Sequence, residues 1–545
     1  MLLLSGFLCF YGLGSNGVHE QDEAWHAEAV AELYRDGHWW RLTQFGNPYF
    51  EKPAPFLWLI ASGYRLLGPT VFAARFWAAF FAVAAVLATS ALGTRIGGRR
   101  AGFVAGLALA TSYMFVFRHC ARTVQFDSLM VFSFTLSTAL FLRALETNRG
   151  WVLWSVATAL ASYAKNFAAS APVFVFIITL LISKSPHRPT GRQWLRLGTV
   201  FAAIHLAWLV PMVVVHGRPF LANFLGHQVL GRPGLGHGQI VSSIVAVYSR
   251  NLAGGFFPWF FLGIAALPDA AYRARQRDAG SMVLLVWIGV LSLLLCTVLR
   301  QALVWYVIPL FPFLTVIGAT FLVDESERPS WLRHWRTAAS VALIGAALLL
   351  QLQPEAHPFA LWSQDRPLRL TWNSGSSAAA LTATLLAGWW ILRRAARRLT
   401  WLCLLVLTAS ATMSVLRPLG STTYTNVYVR AVDAILQAAP GQTAHLAVDL
   451  ARAGPDRLTR YYMAGLPPAR VEYHWSQPDA VLERARHLPL PAFAVLVSRR
   501  PIAALPAEYP GRVIFAGAET GTPGEAYHVM VVQIIEPSPL GRKDE

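Results

Sequence analysis

This chain is poor in charge. Only 14% of its 545 residues are Asp, Glu, Lys or Arg, and acidic residues number 28. A sequence so poor in charge and so rich in apolar residues (55%) cannot be read as a soluble domain with a solvated face. Cysteine is scarcer still. The four thiols, Cys9, Cys120, Cys296 and Cys403, are scattered through apolar segments without a C-x-x-C pair, which excludes a disulfide framework and a thiolate metal centre. No internal repeat or low-complexity tract is found. A phosphate-binding glycine loop is also missing. "GLGSNG" (12–17) matches G-x-G-x-x-G, but it follows an apolar run and enters an acidic segment instead of joining a strand to a helix. The N-terminus "MLLLSGFLCFYGLG" lacks the positive n-region and small-residue cleavage site of a signal peptide, so it reads as a short first span.

What is present is a series of apolar runs separated by basic clusters. The excess of 46 Lys and Arg over 28 acidic residues would suggest nucleic acid in a soluble protein. Here the cations sit in "RIGGRR" (95–100), Lys184 to Arg196, "RARQR" (273–277), Arg328 to Arg336 and "RRAARR" (393–398). Placing these clusters on the cytoplasmic side predicts about thirteen transmembrane helices, N-terminus in and C-terminus out. The expected spans lie near 1–14, 71–93, 101–117, 128–143, 151–164, 167–183, 197–215, 252–270, 281–299, 303–323, 337–352, 376–392 and 400–416. The fold class expected is a mainly α polytopic membrane protein, its transmembrane domain covering 1–416. From 417 to 545 short apolar runs alternate with Pro/Gly turns and helix-like stretches, which predicts a soluble α/β domain on the outer side. The outer face also receives the loops 15–70, 118–127 and 216–251, and within the first an interfacial amphipathic helix is expected over 20–36.

The informative residues gather in those loops. Asp22 and Glu23 stand side by side, and adjacent helical positions point in different directions, so one can face a reacting centre and the other a structural partner. A capped, solvated helix start is the plainer alternative. In "YFEKPAPFLW" (49–58), Pro53 and Pro55 fix the backbone beside Glu51 and Lys52, so the charges are held instead of snorkelling freely. A fixed ammonium at headgroup depth suits a lipid phosphate. Asp127 opens the next span, where a carboxylate is costly unless paired or functional, and Arg118 or Arg122 could be its partner. The Gly-rich loop 220–239 holds His227, Arg232 and His237; without Cys or a matching carboxylate it does not make a zinc site, whereas Arg232 could clamp a phosphate. Trp305 and Tyr306 end a span, as an aromatic belt would. Lys165 in "SYAKNF" breaks an apolar stretch, which a short outer turn explains.

These motifs together resemble the ArnT/PMT-type polyprenyl-phosphate-dependent glycosyltransferases of the GT-C fold, nearest to the lipid A 4-amino-4-deoxy-L-arabinose transferases. The likeness rests on the acidic pair, "GNPYFEKPAPFLWLIASGYRLLG", "FDSLM", "GHQVLGR", "GGFFPW" and "VWYVIPLFPFL", and covers about residues 18–320. It implies Asp22 and Asp127 as catalytic carboxylates and Lys52 as the group facing the carrier phosphate. Glu51 and Tyr49 would line the pocket, with Arg232, Tyr306, His227 and Glu23 as further binding candidates. The reaction implied is a single inverting displacement on the outer face of the cytoplasmic membrane, by a monomer without cofactor or metal. The donor would be a polyprenyl-phosphate sugar and the acceptor a lipid or glycan, lipid A among them. A protein O-mannosyltransferase-like activity, transfer of a whole glycan unit, and a secondary transporter are the competing readings. The last would place its ionisable residues at midplane, often within inverted repeats.

Overall fold

The computed structural model describes the chain outside residues 16, 19–20, 45, 166–169, 184, 186, 225, 227–247, 250, 298–303, 325–326, 353–396, 421–426, 450–459, 464–468, 475–477, 499–501, 503–508, 510, 521–525 and 536–545. Of the expectations above, His227, Arg232 and the span near 376–392 lie outside the described residues. Two compact units are formed. One comprises Met1–Leu13, Ala29–Trp362 and Leu370–Gly420; the other comprises Gly14–Glu28, Ser363–Arg369 and Ser421–Glu545.

The first unit is helical. Its elements begin with α1 (Leu2–Phe10), α2 (Gln21–Asp36, which starts in the other unit), the short strands β1 (Thr43–Gln44) and β2 (Asn47–Pro48), and α3 (Ala54–Leu67). Then come α4 (Val71–Ala110), α5 (Tyr113–Phe117), α6 (Asp127–Thr147), α7 (Trp151–Ala164), α8 (Ser170–Ile182) and α9 (Gly191–Leu221). After α10 (Trp259–Arg275) and α11 (Ala279–Thr297), a 3₁₀ segment Val304–Leu310 leads into α12 (Phe311–Val323), α13 (Ser330–Leu352) and α14 (Arg397–Gly420). Among the described residues, four helical runs are long and apolar enough to cross a membrane: Val71–Ala110, Asp127–Thr147, Gly191–Phe224 and Trp305–Val323. The apolar window of the third is only 11% buried, with Val214 78% and Leu195 73% exposed, so water is the wrong solvent for this surface. The chain is a multi-pass membrane protein.

The helical run Val71–Ala110 is broken at Gly98, whose φ of 82° only glycine adopts readily, into two arms that correspond to the span predicted at 71–93 and to most of that at 101–117, whose end is the separate short helix α5. The two arms then fold closely together, and a Cβ at Gly102 would run into Thr94 and the Ser90 carbonyl. Loop 15–70 contains the expected amphipathic helix α2, but also α3, which was not anticipated. Its signals were local: Pro53 at the N-cap, Pro55 in the first turn, and Gly68 at φ 80° closing the C-terminus.

One end of the helical unit is held by ion pairs. Arg328 reaches Asp269 and Asp324, each at 2.7 Å, and Arg273 reaches Asp278 at 2.9 Å and Asp324 at 3.4 Å. Arg273 also donates to the Ile96 carbonyl at 3.1 Å, and Arg336 to that of Asp324 at 2.9 Å. Three basic clusters, from "RIGGRR", "RARQR" and Arg328–Arg336, thus meet at the ends of α10, α12 and α13. The bidentate pair of Arg95 with Glu146 brings the C-terminal end of α6 to the same "RIGGRR" cluster.

In the second unit α15 (Val427–Ala438) and α16 (Pro478–Arg486) accompany a five-stranded sheet. The strands are β3 (Ala444–Asp449), β4 (Ala469–His474), β5 (Ala492–Ser498), β6 (Gly511–Thr520) and β7 (Ala526–Ile534), in the order β4-β3-β5-β7-β6. β3, β4 and β5 are parallel, and β7 pairs antiparallel with β5 and β6. Val481, Leu482 and Ala485 of α16, with Leu488 just beyond its end, pack on Ala494, Leu496, Met530 and Val532. This alternation of inward residues is what the short apolar runs of the sequence encode.

Candidate active site

The helical unit contains one buried ion pair at the end of α6 away from Glu146. Asp127 is the first residue of α6 and is fully buried. Lys165 caps the C-terminus of α7 and donates to Asp127 Oδ1 at 2.7 Å. A carboxylate at a helix N-terminus and an ammonium at a helix C-terminus each meet the favourable end of a backbone dipole. The antiparallel packing of α6 and α7 brings those ends together. Lys165 is thus a partner of Asp127 that sequence reasoning missed as a site residue. Arg122 instead donates to the carbonyls of Leu8, Cys9 and Gly12 at 3.1–3.3 Å, satisfying the otherwise bare end of α1.

Aromatic rings close the surroundings. Lys165 Nζ lies 5.3 Å from the ring centre of Tyr306, so this candidate from the 3₁₀ segment does join Asp127. His119 stacks on Trp305, with ring centres 4.0 Å apart, and its Nε2 stands 3.9 Å from Asp127 Oδ2. Among the described residues Oδ2 finds no hydrogen-bond donor, and neither Thr123 Oγ1 nor Ser128 Oγ nearby in the chain has a partner. Buried polar atoms without partners are costly, so their concentration at 123–128 marks a place shaped for something polar to bind.

The segment Tyr49–Lys52 is positioned by three supports. The hairpin of β1 and β2 pairs Thr43 with Pro48 and Gln44 with Asn47. Glu32 of α2 accepts from Gly46 N at 3.2 and 3.4 Å, pinning the turn. Phe50 packs against His216 and Phe220. Tyr49 is 2% exposed, while Glu51 and Lys52 are half-buried just before the first turn of α3. Four residues beyond Lys52, Phe56 packs on Phe126, the residue before Asp127, at 4.5 Å between ring centres. This contact ties the lip segment to the mouth of α6.

Asp22 and Glu23 belong to the other compact unit. Glu23 is fully buried and Asp22 half-buried, so the two neighbours do face different surroundings. A separate cleft of about 640 Å³, lined by Trp39, Trp40, Arg41 and Trp58 among others, includes none of the candidate residues.

Comparison with known proteins gives the following. The family described as dolichyl-phosphate-mannose-protein mannosyltransferase matches residues 51–214, which contain Lys52, Asp127 and Lys165. An uncharacterised protein of Aquifex aeolicus is 23% identical over 322 residues, covering 58% of this chain and 62% of its own. The undecaprenyl phosphate-alpha-4-amino-4-deoxy-L-arabinose arabinosyl transferase 2 of Pseudomonas fluorescens Pf0-1 is 27% identical over 333 residues, covering 58% of each chain. The chain thus spans about three fifths of the length of these curated relatives. The crystal structure of ArnT from Cupriavidus metallidurans bound to undecaprenyl phosphate superimposes with a TM-score of 0.69 at 18% identity, covering 98% of both chains. The fold is shared throughout.

Proposed function

We propose that this chain, an ArnT/PMT-type protein by sequence likeness and by fold, is a membrane glycosyltransferase that uses a polyprenyl-phosphate-linked sugar. The finer reading is an inverting transfer on the outer face of the cytoplasmic membrane, with 4-amino-4-deoxy-L-arabinose moved to lipid A. The observation that carries it is the buried Asp127–Lys165 pair with one carboxylate oxygen left open, inside the family-matched region and tied through Phe56–Phe126 to the segment bearing Lys52.

The chemistry follows from those groups. The leaving phosphate is anionic before reaction, so no general acid is needed to expel it. Lys52, held ahead of α3, stabilises the charge that accumulates on it, and Arg232 is its proposed second cation. Asp22 orients or deprotonates the acceptor hydroxyl. Asp127, held in place by Lys165, grips the sugar as its anomeric carbon inverts. Tyr49 and Glu51 line the donor pocket.

The test uses purified protein in liposomes, with undecaprenyl-phosphate-linked 4-amino-4-deoxy-L-arabinose and lipid A. The expected result is lipid A heavier by one aminopentose and release of undecaprenyl phosphate that depends on acceptor. Transfer from a hexosyl donor to protein alone would move the assignment to the mannosyltransferase side of the family.

A further inference from the structure

His119 lies between the two motifs that the family likeness singles out, yet nothing in the reaction above uses it. It is 4% exposed and adopts φ 55°, a left-handed conformation that a non-glycine residue adopts only against steric strain. A histidine kept there is held for its side chain, since glycine would make the turn without strain. The stack on Trp305, tilted by only 20°, fixes the imidazole plane. That plane brings Nε2 to 3.9 Å from Asp127 Oδ2, the oxygen that Lys165 leaves open. The separation is too long for a direct hydrogen bond. It does allow a single oxygen to sit about 2.8 Å from both atoms, a normal distance to each. A hydroxyl placed there can donate to the carboxylate and accept from the imidazole N–H, which uses both of its capacities.

We propose that His119 is a specificity-determining residue that, with Asp127, grips one hydroxyl of the carrier-linked sugar. Trp305, stacked on His119, and Tyr306, beside Lys165, set aromatic rings next to the pair, and such rings suit a saccharide ring. The inference rests on the glycosyltransferase reading and adds a contact to it.

The experiment measures transfer by wild type, His119→Gln and His119→Phe in liposomes. The donors are undecaprenyl phosphate linked to 4-amino-4-deoxy-L-arabinose or to a hexose, and monodeoxy analogues of each. Glutamine retains an N–H near the position of Nε2, whereas phenylalanine retains only the stack on Trp305. His119→Gln is expected within about threefold of wild-type kcat/KM for the donor, and His119→Phe about 10- to 100-fold lower, the loss of one hydrogen bond to substrate. One deoxy donor should cost wild type a similar factor and cost His119→Phe almost nothing more, because both changes remove the same contact. A purely packing role predicts the opposite order, Phe tolerated and Gln damaging, and that order overturns the proposal. So does a wild type indifferent to every deoxy donor it transfers, a result that stands even if the Phe variant fails to fold. A loss confined to the KM of the acceptor overturns the assignment to the donor sugar. If wild type transfers from no donor at all, the glycosyltransferase reading itself falls.

Discussion

The two ends of α6 carry charge in opposite ways. At the Glu146 end, Glu146, Asp269, Asp278 and Asp324 each pair with an arginine. Asp324 takes two arginines and Arg328 two aspartates, and Asp278 accepts from Ser281 Oγ at 2.6 Å and Gly280 N at 3.1 Å. Some 30 Å away, by the rise of a 21-residue helix, Asp127 has one oxygen paired and one open. Among the described residues, those acids at the first end all have cationic partners, while at the second the buried Asp127 keeps one carboxylate oxygen without a hydrogen-bond donor. The two ends differ in burial as well, Asp127 being fully buried and Asp278 and Glu146 partly exposed.

The sharpest test of that contrast is Asp127→Asn. Transfer should fall about 10²- to 10⁴-fold, measured as kcat on the donor, while the protein stays folded. Because Lys165 would then be a largely buried cation without its counter-charge, stability should also drop. Asp127→Asn combined with Lys165→Met should recover stability but no activity. If the double variant regains transfer, the pair is structural and the contrast collapses. Lys52→Ala comes next, with an expected loss of about 10²- to 10³-fold, and Lys52→Arg should restore only part of it, since a planar fork does not replace a compact ammonium. Wild-type turnover by the alanine variant would remove Lys52 from the site.

The Glu146 end should answer in a different currency. Arg328→Met leaves Asp269 and the shared Asp324 with fewer partners at a site where Arg328 is only about one-tenth exposed. Breaking such a pair costs roughly 3–5 kcal/mol, which should appear as a lower unfolding temperature in detergent. The kcat of the surviving folded protein should stay within twofold. A fall in kcat without loss of stability would show that the two ends are coupled through α6.

How much of this could be read from sequence depends on the range of each signal. The lip segment, Asp127 and Tyr306 were legible because a charge or ring at the edge of an apolar run is a local event. Lys165 was equally visible as a charge at a helix end, but its partner is 38 residues away. A count along the hairpin could have found it. α6 and α7 are joined by a short turn with Asn148 and Gly150 both left-handed, so they run antiparallel. α7 is the shorter, 14 residues against 21, and Lys165 just past its end reaches Asp127 Oδ1 at 2.7 Å. His119 carried no such signal. Its positive φ and its stack on Trp305, 186 positions later, exist only once the chain is folded.

The smallest effect should come from Glu32, which tests whether the lip segment is rigid because it is built on α2. Glu32 is 8% exposed and shares the Gly46 N–H between its two oxygens at 3.2 and 3.4 Å, a weak, bifurcated contact. Glu32→Gln keeps one acceptor in the same place, so stability should change by no more than about 0.5–1.5 kcal/mol. The turn at Gly46 precedes Lys52 by only six residues, however, and Gly46 is itself left-handed at φ 72°. A loosened turn spreads the positions that Lys52 samples before the carrier phosphate arrives. Donor KM should therefore rise two- to threefold with kcat unchanged, because ordering the segment becomes part of binding. Glu32→Ala removes both acceptors and should extend the same trend. If either variant lowers kcat and leaves KM alone, Glu32 acts during the displacement, and the Asp127 end of α6 is not the whole of the site.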